Sequence, residues 1–318
     1  MMALRPFQRF NALFYKYITS SLCGCGNVYV TRSFSQRKID LDYEVHCHPE
    51  TNTQLTPVVI SHALYGCKSD WSSIGKELNY ITKRKVVCYD AVNHGCSSSH
   101  EDMAYKDMAL DLVILLEKLN LPTVSCIGHR MGGKTLMTLA LTQPERFEQV
   151  AIIDIAPSAE ILIENTTKDL EKLANLQLYK FQCKEDLEAY LKEQQLDLRL
   201  MRSILFSIIQ RNDKLNLTVN LANVRKNYQD VLAFPPFQPD VTFNGPSLFI
   251  TGFQSLEKFL GDFPWVYKRF PSAKIQYLPE LDRWLHLERP DKLLEIFGEF
   301  FMEREDTSNE KRTMSISG

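Results

Sequence analysis

Val124-Ser125-Cys126-Ile127-Gly128-His129-Arg130-Met131-Gly132-Gly133-Lys134-Thr135 is the stretch whose reading decides the fold. An apolar run without alternation reads as a strand covered on both faces. It passes through glycines at 128, 132 and 133 into a helical pattern in which Leu136, Leu139 and Ala140 share a face. Small residues at those points let the chain turn sharply and lift the side chain of residue 130 above the end of the sheet. The helix N-terminus beneath that side chain favours negative charge and offers unpaired N–H groups. Residue 130 is an arginine. Its guanidinium stays protonated, so it partners anions and cannot attack a carbonyl. Lys134, although it follows a glycine pair, is not read as part of a phosphate-binding loop.

Working outward, short β-rich runs alternate with helical patterns, which predicts an α/β fold with a mostly parallel sheet and crossover helices. The expected strands are 41–46, 58–61, 86–89, 124–128, 150–155, 247–251 and 275–278. Tyr105, Met108, Leu112, Leu115 and Leu119 mark one face of an intervening helix. Between Pro157 and Pro246 the rhythm changes to helical pairs such as Leu170/Leu173, Leu187/Leu191 and Met201/Leu205, with no clear strand. We read about 158–240 as a helical lid over the sheet, and 303–318 as a disordered polar tail.

Residues 1–39 stand apart. They hold Arg5, Arg9, Lys16, Arg32, Arg37 and Lys38 and no acid, with Phe7, Phe10, Phe14 and Tyr17 at helical spacing and many Ser/Thr after Ile18. This is the pattern of a mitochondrial transit peptide, and a secretory signal needs a longer apolar centre. We expect 1–39 to direct the chain to the matrix and 40–302 to form the folded domain. The whole chain carries a formal −2, but without that segment 31 basic residues face 39 acidic ones, which excludes a field for holding nucleic acid. No run of about 18 apolar residues exists to span a membrane. Eight cysteines in 318 residues, none in a Cys-x-x-Cys pair, read as reduced and structural. The histidines lack metal-ligand spacing, so neither a metal nor a cofactor is expected.

Five segments occur in order: His62-Ala63-Leu64-Tyr65-Gly66, Asp90-Ala91-Val92-Asn93-His94-Gly95-Cys96-Ser97, Gly128-His129-Arg130-Met131-Gly132-Gly133-Lys134, Ile153-Asp154-Ile155-Ala156-Pro157 and Leu232-Ala233-Phe234-Pro235. Together they resemble the mitochondrial α/β-hydrolase domain-containing protein 11 family and its bacterial esterase relatives, over about 41–302. The resemblance implies an α/β-hydrolase fold and a serine hydrolase of esters or acyl lipids. The family's elbow reads Gly-His-Ser-Met-Gly-Gly-Lys, so Arg130 holds the nucleophile position. Its late motif reads Asn-Ala-Gly-His-Trp-x-His, so in Glu280-Leu281-Asp282-Arg283-Trp284-Leu285-His286 the general base position is Arg283. Its oxyanion loop begins His-Gly where this chain has His62-Ala63; the backbone donors it implies are those of Leu64 and Met131. For the acid the resemblance offers Asp154, or a lid Asn-Leu-Asp stretch that matches Asn220-Leu221-Ala222 and would then be lost; Asp154 is the favoured one.

Other residues do not restore the chemistry. His286 has a counterpart beside the family's catalytic histidine and reads as a packing residue. Cys96 and Ser97 lie on a neighbouring loop, Ser125 points into the sheet, Cys126 is a small buried hydrophobe, His94 holds its turn, and Asp70 is a helix cap or loop residue. Triad members act as a unit, so losing two of them leaves little catalysis. The expected function is a catalytically inactive hydrolase relative with a ligand-binding or scaffold role. The alternative is an active carboxylic ester hydrolase that uses an unrecognised nucleophile. Arg130 and Arg283 either pair with carboxylates such as Asp154 or reach solvent, or else bind an anion such as an acyl carboxylate, a phosphate or an acyl-CoA moiety. The family's association with matrix 2-oxoacid dehydrogenase machinery implies a mitochondrial protein as a further partner.

Overall fold

A computed structural model describes residues 38–157, 166–279 and 284–314. The expected transit peptide, up to residue 37, and Arg283 lie outside the described residues.

The seven expected strands form one sheet: β1 (Tyr43–His46), β2 (Val58–Ser61), β3 (Val86–Tyr89), β4 (Val124–His129), β5 (Phe147–Ile153), β8 (Ser247–Gly252) and β9 (Ala273–Leu278). Their order is β1-β3-β2-β4-β5-β8-β9, and all neighbours are parallel except β1 with β3. The apolar runs lack alternation because both faces are covered. Val59, Val87, Cys126 and Ile152 pack on one side with α2 (Tyr105–Lys118) and α3 (Met131–Thr142). Val58, Ile60, Val86, Ile127 and Ile153 pack on the other with α1 (Ser72–Thr82) and α11 (Pro290–Met314). Every residue of α3 is buried. That is tolerable because its threonines return hydrogen bonds to carbonyls one turn back, Thr135 to Met131 at 3.0 Å and Thr138 to Lys134 at 2.8 Å.

Between β5 and β8 the described chain forms α4 (Thr166–Ala174), α5 (Lys184–Glu193), α6 (Leu198–Phe206), α7 (Leu221–Lys226) and α8 (Tyr228–Leu232). The reading of this insertion as free of strands needs correction. β6 (Ile208–Arg211) and β7 (Lys214–Leu217) form an antiparallel hairpin. Its turn is Asn212-Asp213, at φ 50° and 57°. Asn and Asp tolerate that left-handed backbone, and they were the overlooked turn signal. α11 runs on through 303–314 to Met314, and residues 315–318 of the expected tail lie outside the described residues. Neither proline nor glycine interrupts those positions, and polar residues alone do not end a helix.

The insertion is tied to the body by side-chain amides. Asn223 Nδ2 donates to Asn93 Oδ1 at 2.9 Å and to the His100 carbonyl at 2.8 Å, on the loop after β3. Asn227 donates to the Glu101 carbonyl at 2.6 Å and accepts from Met103 N at 3.2 Å. At its far end, Tyr105 Oη donates to Val231 O at 2.7 Å, and buried Lys134 donates to Leu232 O at 2.9 Å. Arg269 then holds the carbonyls of Phe237, Gln238 and Val241 as the chain returns toward β8.

Candidate active site

The segment 124–135 folds as its glycines require: β4 ends at His129, α3 begins at Met131, and Arg130 alone makes the turn. Arg130 has φ 49° and ψ −108°, a conformation that L residues rarely adopt and that costs about 1–3 kcal/mol. The turn is held from both sides, as Arg130 N donates to Ile153 O at 3.0 Å and Lys134 N to Arg130 O at 2.9 Å. Gly132 N donates to His62 O at 3.1 Å. A Cβ on Gly132 would lie 2.3 Å from Ser61 O, and one on Gly128 2.7 Å from the Cα of Gly133. Only glycine lets the helix start this close to β2 and β4.

At the end of β5, Asp154 also has a left-handed backbone, φ 53°. Arg130 Nη1 donates to Asp154 Oδ2 at 2.5 Å and to the Asp154 carbonyl at 3.3 Å. The two side chains are 15 % and 6 % exposed, so this is a desolvated pair. Of the expected possibilities for Arg130, carboxylate pairing, reaching solvent or anion binding, the pairing with Asp154 is present. Met131, the first residue of α3, contributes its N–H beside Arg130, and Leu64 lies half-buried on the loop that follows β2. Ala222, in the segment matched to the family's lid acid, is exposed on α7, and Asn220 caps that helix by accepting from Asn223 N at 3.1 Å.

The histidines around the elbow are held by their neighbours. His62 Nε2 accepts from Ala91 N at 2.9 Å, which leaves Nδ1–H for the Ala63 carbonyl at 2.8 Å. His94 Nδ1 lies 2.8 Å from Val92 O and Nε2 accepts from Tyr65 N at 3.4 Å, and burial pushes its pKa down to about 3. His286 stacks flat on Trp71 at 4.8 Å and lies 5.0 Å from His129. Burial, with a smaller contribution from His62, pushes its pKa down to about 4. Asp70 accepts from Cys67 N at 2.8 Å at the start of the turn that leads to Trp71.

Ser125, Cys67 and Cys126 are poor nucleophiles where they stand. Ser125 Oγ is buried in β4 without a hydrogen-bond partner among the described residues. Burial, helped by the Asp70 and Asp90 carboxylates, pushes the Cys67 thiol up to about 12, and burial raises Cys126 well above its usual value. Both remain protonated near neutral pH. Asp42, Asp90 and Cys96 place ligand atoms within 4.8 Å of one another, a grouping the sequence did not reveal. The Lys68 ammonium sits 2.7 Å from Asp42 and 2.6 Å from Asp90, so a lysine supplies the cation there. The run Gly128-x-x-x-x-Gly133-Lys134-Thr135 formally has phosphate-loop spacing, and it is the structure that excludes that role. The Lys134 ammonium is fully buried against the carbonyls of Leu232 and Ala233, and Thr135 Oγ1 is bonded to Met131 O.

The α/β-hydrolase fold family matches residues 56–277. The sn-1-specific diacylglycerol lipase ABHD11 of Danio rerio is 32% identical over 256 residues, covering 79% of each chain. Esterase YbfF of Escherichia coli is 24% identical over 75% of this chain and 90% of its own. A solved marine microorganism esterase superposes with a TM-score of 0.72 at 26% identity, covering 83% of this chain and all of its own. The chain belongs to the α/β-hydrolase family and, within it, to the α/β-hydrolase domain-containing protein 11 group.

The ion pair predicts strong coupling in chemical denaturation. Arg130→Ala or Asp154→Asn alone should cost about 3 kcal/mol, because each breaks a desolvated charge pair, while the double variant should cost clearly less than the sum. Additive losses would show that the pair contributes no mutual stabilisation. A second measurement concerns acid. His286 is protonated in the unfolded chain below about 6.5 and in the folded one only below about 4. Its neutral form therefore stabilises the fold above pH 6.5, and that contribution is lost as pH falls toward 4. His286→Phe, which keeps a ring on Trp71, should reduce the slope of stability against pH in that window by up to about 1.4 kcal/mol per pH unit. An unchanged slope would contradict the neutral buried imidazole.

Proposed function

We propose that this protein is a mitochondrial α/β-hydrolase relative that no longer hydrolyses esters, and that it uses the former active-site region to hold an anionic or acyl ligand or a partner protein. The observation that carries the reading is the Arg130–Asp154 pair. The apex of the elbow presents a guanidinium, and the carboxylate favoured as the triad acid is bonded to it. An acyl-enzyme needs an oxygen, sulfur or carboxylate nucleophile at that apex and a base beside it. Position 130 offers none of these, and position 283, where the family's base stands, is also an arginine. The N–H groups of Met131 and Leu64 are the counterparts of the family's oxyanion donors, and they suit an anion or acyl carbonyl without cleavage. A carboxylate or phosphate ligand would engage Arg130 in exchange for Asp154. The basic, acid-free segment 1–39 supports delivery to the mitochondrial matrix.

Ester hydrolysis through another nucleophile is the second reading, favoured by relatives named as a lipase and esterases. A fluorophosphonate probe separates the two. The purified wild-type chain should remain unlabelled, and labelling would demand an activated serine and overturn the proposal. In parallel, octanoate and inorganic phosphate should raise the melting temperature in a concentration-dependent way that Arg130→Ala abolishes. Stabilisation that persists in Arg130→Ala would move the ligand away from the elbow.

A further inference from the structure

Helix α6 shows two unlike faces. Asp197 caps it by accepting from Arg199 N at 2.9 Å and Leu200 N at 3.2 Å. Leu200, Met201, Ser203 and Ile204 are buried against the insertion. The opposite arc carries Leu198, 68 % exposed, and Phe206, 43 % exposed, with the exposed Arg199 and Arg202 between them. Spacings of four place Leu198, Arg202 and Phe206 in one line along the helix. No acid lies within α6, and the hairpin that follows exposes Arg211 and Lys214. The nearest carboxylates in sequence are the cap Asp197, 3.5 Å from Arg199 Nε, and Asp213 at the hairpin turn. Phe206 does not stand alone, since it stacks on the half-buried Trp284 at 4.8 Å and 28°.

We propose that this outer face of α6 docks on an anionic phospholipid surface, with Leu198 and Phe206 entering the boundary between headgroups and acyl chains. Arg199 and Arg202 have long apolar stems and charged tips, so from the same arc they reach the lipid phosphates while the stems lie along the apolar layer. The basic excess of the face matches the negative charge of such a surface. A convex helix face with separated apolar side chains and arginines between them suits a deformable lipid boundary better than a fixed protein pocket. Trp284, joined through the stack, adds an aromatic ring of the kind that favours the interface. The contact is peripheral, because no helix among the described residues is long and apolar enough to cross a membrane. The inference goes beyond the functional reading above and holds whether or not the elbow turns over substrate.

The test is hydrogen exchange on the full chain with phosphatidylcholine vesicles, with and without phosphatidylserine. The readout must be local, since the basic segment 1–39 is itself able to bring the chain to anionic vesicles. Peptides spanning 198–206 should exchange at least about tenfold more slowly on the phosphatidylserine vesicles only. That protection should vanish in L198S/F206S and weaken in R199Q/R202Q or at high salt, with exchange in α3 unchanged as the sign of an intact fold. Three outcomes would overturn the proposal: a chain that binds neither vesicle, a bound chain whose 198–206 exchanges as in solution, or protection indifferent to lipid charge or to L198S/F206S. Protection of 198–206 by a protein and by neither vesicle would reassign the face to that protein and equally overturn the lipid proposal.

Discussion

Gly132 stands so close to the Ser61 carbonyl that no side chain fits between them, and the placement of α3 against the sheet follows from that contact. The close approach brings the first turn of α3 against the end of β2, where Gly132 N meets His62 O. It also forces residue 130 into a backbone conformation that costs about 1–3 kcal/mol. A strained turn persists only where its surroundings over-determine it, and here β4, β5, the loop after β2 and a buried helix all hold it. The strain remains although the residue at its apex is unable to perform the chemistry for which such turns are built. What the turn now delivers is a guanidinium, which donates to the carboxylate at the end of β5 at 2.5 Å.

Electrostatics around the elbow follow a common rule. Cations are buried where carbonyls or carboxylates receive them, and titratable groups that burial isolates stay neutral. Lys134 is fully buried because the carboxyl end of α8 supplies carbonyls, and Arg269 is tolerated because the returning chain supplies more. Lys68 bridges Asp42 and Asp90. By contrast His94, His286, Cys67 and Cys126 are held uncharged. Lys134 and Arg269 also fasten the insertion to the body, working with the amides of Asn223 and Asn227. The helix that begins at the elbow and the insertion are therefore one electrostatic unit, with Lys134 on the former and its acceptors in the latter.

Much of this was legible in the residues, for reasons that differ by element. The strands of the sheet were readable because parallel strands covered on both faces are continuously apolar, as in Val58-Val59-Ile60 and Ala151-Ile152-Ile153. The elbow was readable because three glycines at fixed spacing leave few alternatives. The hairpin β6–β7 was obscured because Ile208 and Ile209 extend the apolar pattern of α6, and only Asn212-Asp213 betrays the turn. Pairing of Arg130 with Asp154 was foreseen as one of several possibilities. The bridge made by Lys68 and the stack of Phe206 on Trp284 were not, because they join residues from separate elements and no local pattern announces them.

We propose that the elbow keeps its hydrolase geometry and is silenced by the arginine at residue 130, with residue 283 as its companion. The most direct measurement is the rate of short-chain ester hydrolysis by the chain carrying both Arg130→Ser and Arg283→His. Removing the guanidinium releases Asp154 to orient the new histidine, while the strained turn and the N–H of Met131 remain in place. The account predicts turnover at least about a hundredfold above the wild-type chain, abolished again by Asp154→Asn. A folded double variant that hydrolyses no faster than wild type would contradict it, as would a wild-type chain already active at that rate.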